Sequence, residues 1–180
     1  TPASPPPCQK ELENNMKNNG AFFGRVPMLQ HSLKNLVQWG EHLSVDHPGI
    51  DAQHEVIFNL VSEVHDLWRC NASVIQLSSV VDKLAEVLGN HFRYEERMLG
   101  ETDYPKLPEH AGEHRMMLEE LETIRKRLSG DGKALPEPGW VLLNFMLGVT
   151  VGHILSSDID YCEYISEHQA GGAEGARAIV

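Results

Sequence analysis

His91 and Glu95 stand four residues apart in HFRYEE, and His110 and His114 stand four apart in EHAGEH. On a helix, residues four apart lie one above the other on the same face. Each pair can therefore grip one ion with two side chains. Further candidate donors are His54 in DAQHEV, His153 in VGHIL, and the aspartates Asp158 and Asp160 beyond it. Neutral imidazole suits zinc, copper, iron or nickel. HEVIF at His54 lacks the second histidine of the HExxH zinc motif.

These donors need a scaffold, and the hydrophobic periodicity predicts one. The first helical stretch runs from about Ala52 to Cys70, with Asp51 expected as its cap and SVDHPGID as the loop before it. Its apolar stripe is Ile57, Leu60, Val61, Val64, Leu67 and Trp68, and three residues before Ile57 comes His54. The second runs from about Ser73 to Leu99. Leu77, Val80, Val81, Leu84, Val87 and Leu88 lead along one face to His91 and Glu95. The third, about Leu107 to Leu128, has the stripe Leu107, His110, His114, Met117, Leu121, Ile124, Leu128. The fourth starts after LPEPG and places Leu143, Met146, Thr150 and His153 on its inner face. Short connections favour antiparallel neighbours, so the expected fold is all-α, an up-down-up-down four-helix bundle. An arm or short helix, MLQHSLKNLVQW, precedes it.

A lone histidine on an apolar stripe is usually a core residue with one satisfied hydrogen bond. Here five lie inward on four helices: His54, His91, His110, His114 and His153. Leaving them unpartnered would cost roughly 1–3 kcal/mol per buried polar group. A shared metal centre satisfies them together. A single structural zinc needs only four ligands. Two ions bridged by carboxylates, Glu95 and an aspartate after His153, account for the surplus. Glu96 is expected to face solvent. His31, His42, His47 and His168 fall outside the stripes, and His65 lies about 16 Å along the helix from His54.

The bulk numbers narrow the function classes. In 180 residues, 41% apolar and 23% charged, there is enough chain for one well-cored domain. The formal net charge of −11 argues against nucleic-acid binding and against docking on anionic lipid. No apolar run is expected to approach the roughly 20 residues of a membrane span. TPASPPPCQKELENN has no apolar h-region, so no signal peptide is expected. Cys8, Cys70 and Cys162 are an odd set without close spacing, read as reduced thiols in a cytoplasmic protein. The expected organisation is a Pro/Asn-rich extension over 1–27, the helical domain over 28–168, and a Gly/Ala-rich tail or linker over 169–180.

Four segments in order, Trp39 with SVDHPGIDAQH, then HFRYEE, then YPKLPEHAGEH, then HILSSD, resemble the hemerythrins, in particular the bacterial hemerythrin-like domains. The resemblance implies a non-heme di-iron site, oxo- or hydroxo-bridged, that binds O2 reversibly. Carried over, His110, His114 and His153 would hold one iron and His54 and His91 the other. Glu95 and Asp158 would bridge them. Asp160 is the rival on ideal helical geometry, because five residues turn an α-helix about 140° away from the same face. Choosing Asp158 therefore predicts a π-like widening after His153. Ile57, Leu88 and Met117, one turn from ligands, would line the O2 position and keep water out. Val149 and Thr150 stand where the family commonly has Trp and Leu, and the Thr150 hydroxyl is expected to bring water or a proton to bound O2; the rival reading turns it to the carbonyl four residues back and leaves only its methyl group facing inward. The implied function is oxygen carriage, storage or delivery, more a binding protein than an enzyme. The alternatives are an O2 or redox sensor module with a signalling domain as partner, and a di-iron peroxidase fed by an electron donor.

Overall fold

The computed structural model describes residues 39–162, 164 and 165. The expected segments 1–27 and 169–180, and the arm before Trp39, lie outside the described residues. Among the described residues there are no strands. Four helices make the bundle: α1 (Pro48–Arg69), α2 (Val74–Glu101), α3 (Leu107–Leu128) and α4 (Pro138–Cys162). Within α4, Gly148–Asp158 is π-helical. A short 3₁₀ turn, Glu41–Leu43, precedes α1.

Local chemistry sets the helix ends. α1 starts earlier than expected, at Pro48, and its cap is not Asp51. His47 takes that role, its Nδ1 accepting the Ile50 N–H at 3.3 Å. Asp51 instead ties down the preceding loop, accepting from the Ser44 hydroxyl at 2.6 Å and the Val45 N–H at 2.9 Å. A histidine is an uncommon cap, whereas aspartate is among the preferred ones. α2 opens on a reciprocal capping box between Ser73 and Gln76. α3 has a proline in its first turn, where the missing N–H is no loss.

The predicted stripes face inward. Ile57, Leu60, Val61 and Val64 of α1 are buried with Leu77, Val81, Leu84 and Leu88 of α2. Leu121 and Ile124 of α3 and Leu143 and Met146 of α4 join them. Each such side chain contributes about 1.5–3 kcal/mol when fully buried. A smaller apolar group, Val45, Ile50, Leu99, Tyr104, Tyr161 and Ile165, forms a second cluster.

Two expectations are corrected. α4 is long and apolar enough to cross a membrane by length and composition alone. Between Gly139 and Ser157 it has no Asp, Glu, Lys or Arg. In the bundle it packs against α1, and its inner face carries His153 and Asp158 to the other helices. Cys70, at the end of α1, is disulfide-bonded, whereas Cys162 is a free thiol. Sequence spacing cannot reveal which cysteines approach one another. The cytoplasmic reading loses the support that reduced thiols gave it.

Candidate metal centre

Each helix delivers donors to one place. His54 comes from α1, His91 and Glu95 from α2, His110 and His114 from α3, and His153 and Asp158 from α4. All seven are at most 4% exposed. Their ligand atoms form two overlapping groups, each within 4.8 Å: Glu95, His110, His114, His153 and Asp158; and His54, His91, Glu95 and Asp158. Both groups contain Glu95 and Asp158.

The π segment explains how Asp158 reaches the site. A π-turn bonds residue i to i+5, so a residue five positions on is stacked over the first. Gly148, Val149, Thr150, Val151 and Gly152 are weak α-formers, which lowers the cost of widening there. His153 Nε2 consequently lies 3.2 Å from Asp158 Oδ1. Asp160 is exposed and pairs with Lys106 at 3.4 Å.

Asp158 divides its oxygens. Oδ1 faces His153 at 3.2 Å and His110 at 3.5 Å, while Oδ2 faces His54 at 3.2 Å. Glu95 Oε2 lies 3.1 Å from His114, 3.2 Å from His110 and 3.8 Å from His91. Its other oxygen accepts the hydroxyl of Tyr161.

The outer nitrogens are held as well. His114 Nδ1 donates to Glu96 at 2.8 Å, and His153 Nδ1 to Glu113 at 2.8 Å. Ser157 also donates to Glu113, at 2.7 Å. His91 Nδ1 donates to Gln53 at 3.0 Å. Such bonds fix the tautomer that leaves Nε2 as a lone-pair donor and raise its basicity. Glu96, expected to face solvent, is therefore a partner of the site. Gln53, Glu113 and Tyr161 were not singled out from sequence. Gln53 and Glu113 directly precede His54 and His114, and Tyr161 follows Asp158 by three. That is a weak signal, because each works on a histidine or carboxylate of another helix.

The donor set fits a cation. His54 Nε2, His91 Nε2 and both Asp158 oxygens are buried without a hydrogen-bond partner. Such orphans are rare unless a further group joins them. Burial lowers the pKa of His54 to about 4, of His91 to about 3 and of His153 to about 4. They are neutral at pH 7, as metal ligation requires. Burial and the charge of Glu95 push Asp158 well up, so a cation is what would keep it ionised. For Glu95 burial acts upward, but the hydrogen bonds of His110 and His114 prevail and hold it well below the usual carboxylate range.

The proposed lining is placed as follows. Ile57, Leu88 and Thr150 are fully buried. Met117 is partly buried and also walls a groove of about 510 Å³ with Trp140, Val141 and Val149. The Thr150 hydroxyl donates to the Met146 carbonyl at 2.9 Å, four residues back. The expectation that it serves bound O2 loses its geometric basis. Phe92, not singled out beforehand, stacks on His114 with centroids 3.9 Å apart.

A four-helix bundle presenting histidines and shared carboxylates to a buried centre defines a helical metal-binding protein. The chain belongs to the hemerythrin family, since the family model described as the hemerythrin HHE cation binding domain matches residues 47–161. It is similar to a bacteriohemerythrin of Stenotrophomonas maltophilia (strain R551-3), 23% identical over 145 residues, 76% of this chain and 92% of that one. A myohemerythrin of Theromyzon tessulatum is 24% identical over 124 residues, 69% and 89% of the two chains. A bacteriohemerythrin of Campylobacter jejuni is 26% identical over 82 residues, 46% and 62%. Hemerythrins bind O2 at a non-heme di-iron centre, and the buried His/Glu/Asp group here is able to hold metal.

Proposed function

We propose that this chain binds O2 reversibly and serves in oxygen carriage, storage or delivery. The observation that carries the reading is the division of Asp158, one oxygen toward His110 and His153 and the other toward His54. His110, His114 and His153 would hold one iron, His54 and His91 the second, with Glu95 and Asp158 between them. Iron bound there supplies the ferrous–ferric couple on which reversible O2 binding depends.

The chain's residues do the rest. The second ion would have one histidine fewer, which would leave room for a small ligand. Five imidazoles against two carboxylates keep the site less anionic than an all-carboxylate one. Ile57 and Leu88, fully buried, exclude water from the centre. Glu96, Glu113 and Gln53 orient three of the imidazoles and hold the proton of each at Nδ1, away from the metal. Thr150, its hydroxyl engaged by Met146, offers no proton to the site.

The test is iron content together with the visible spectrum under argon, then air, then argon. Two irons per chain and a colour that returns to its starting state are expected. Irreversible bleaching, or a chain that takes up no iron, would overturn the reading.

A further inference from the structure

Tyr161 is fully buried on α4, and its hydroxyl donates to Glu95. Its ring lies 5.7 Å from that of His110. Tyr104 stands edge-on to Tyr161 at 6.2 Å, and Tyr104 is 5.2 Å from Tyr164. Tyr164 is partly exposed, and its hydroxyl donates to the carbonyls of Thr102 and Asp103 at 3.0 and 3.1 Å. Three of the chain's four tyrosines thus form one file from a carboxylate of the metal centre to the surface. The fourth, Tyr94, packs against His47 and Arg97 instead. Phenylalanine would fill the same apolar cluster. Beyond the hydrogen bonds of Tyr161 and Tyr164, a phenol adds the capacity to give up one electron and its O–H proton.

We infer that Tyr161, Tyr104 and Tyr164 form a one-electron relay between the metal centre and the protein surface. It carries oxidising equivalents outward when hydrogen peroxide reacts at the centre. The inference rests on the di-iron reading. The balance is H2O2 plus two tyrosines giving two waters and two tyrosyl radicals, with the irons ferric before and after. In each one-electron step Tyr161 gives its electron to the centre and its proton to Glu95 along the existing hydrogen bond. An electron from Tyr104, replaced in turn from Tyr164, refills Tyr161, which takes its proton back. Tyr164 loses its proton to solvent, and the protons consumed in forming water come from solvent. The radical at the surface is quenched by a hydrogen atom from a dissolved phenol or ascorbate. The file also protects: damage is led away from His110 and Glu95.

The experiment uses the full, iron-loaded chain. Hydrogen peroxide is added, the sample is frozen, and the radical is read by electron paramagnetic resonance. Oxidation of an added phenol is followed in parallel, and iron content and the visible spectrum are recorded for every variant. The wild type should give a tyrosyl signal, and the iron-free chain none. Tyr161→Phe should lose it. Tyr104→Phe, which leaves the Tyr161–Glu95 bond in place, should retain a buried, longer-lived signal and slow the oxidation of the phenol. Tyr164→Phe should behave like Tyr104→Phe, and Tyr94→Phe like wild type. An iron-loaded, O2-binding wild type without a tyrosyl signal would overturn the relay and leave the O2 reading standing. So would phenol oxidation at the wild-type rate in Tyr104→Phe. A tryptophanyl signal would overturn it too, since the ring of Trp39 lies 5.7 Å from His54. A chain that takes up no iron would overturn both.

Discussion

The Nε2 atoms of His114 and His153 face each other at 2.9 Å while both rings donate their Nδ1 protons to carboxylates, Glu96 and Glu113. Two neutral rings so arranged point lone pair at lone pair. The pairing is stable only with a cation between them, either a shared proton or a metal ion. Burial opposes charge on His114, but the bonds and charges of Glu95 and Glu96 prevail and raise its pKa.

Removing the outer carboxylates should therefore weaken metal binding without touching a ligand. Glu113→Ala and Glu96→Ala should each lower iron affinity by about 10–100-fold, the usual range for such partners. Glu113→Gln, which keeps an acceptor for His153, should lose less. Chelator competition measures the order. Equal affinity in all three variants and wild type would refute the role.

Asp158 and Asp160 should behave oppositely. Asp158→Asn should lose iron, because it removes one of the two carboxylates shared by both groups. The metal-free chain should not become less stable, since both Asp158 oxygens lack partners without a metal. Asp160→Ala removes only an exposed contact with Lys106 and should keep two irons. Metal analysis and thermal unfolding of the apo-proteins decide. Loss of iron in Asp160→Ala would move the bridge.

Acid should destabilise the metal-free chain. His54, His91 and His153 have folded values of about 4, 3 and 4, lowered by burial, while the unfolded chain titrates them near 6.5. Below that pH the unfolded state binds protons that the folded state refuses. Their contribution is complete above about 6.5 and is lost as pH falls through the folded values. Glu95, held low, adds to the loss at lower pH, while His114 and Asp158, both raised, act in the opposite sense. The denaturant midpoint should fall between about pH 6.5 and 4. A flat profile would contradict the burial of neutral imidazole.

His110→Ala and His153→Ala should lose iron and thermal stability together in the loaded protein, because site assembly is coupled to folding. Retention of two irons in both variants would exclude their assignment as ligands.

Thr150→Val tests the hydroxyl at matched shape. With that hydroxyl bound to Met146, the oxygenated colour should decay at nearly the wild-type rate, within about twofold, or about 0.4 kcal/mol of barrier. Decay slowed tenfold would return the hydroxyl to the O2 position.

The sequence by itself determined the bundle, because a 3-4 apolar stripe can be buried only one way on a helix. It also determined the five histidines, which sit on those stripes at positions where an unpartnered imidazole is costly. The choice of Asp158 over Asp160 came from resemblance, and it required a distortion that spacing alone argues against. Gly148–Asp158 supplies it as π-helix, in a stretch whose weak α-formers lower the cost of widening. Tertiary structure alone decided the partners: Glu96 with His114, Glu113 with His153, Gln53 with His91, Tyr161 with Glu95. Each pair joins two helices and lies 18 to 66 residues apart in the chain. Which polar residue meets which depends on the rotation and offset of whole helices. Burial of the apolar stripes fixes these, and the periodicity of any one helix does not contain them.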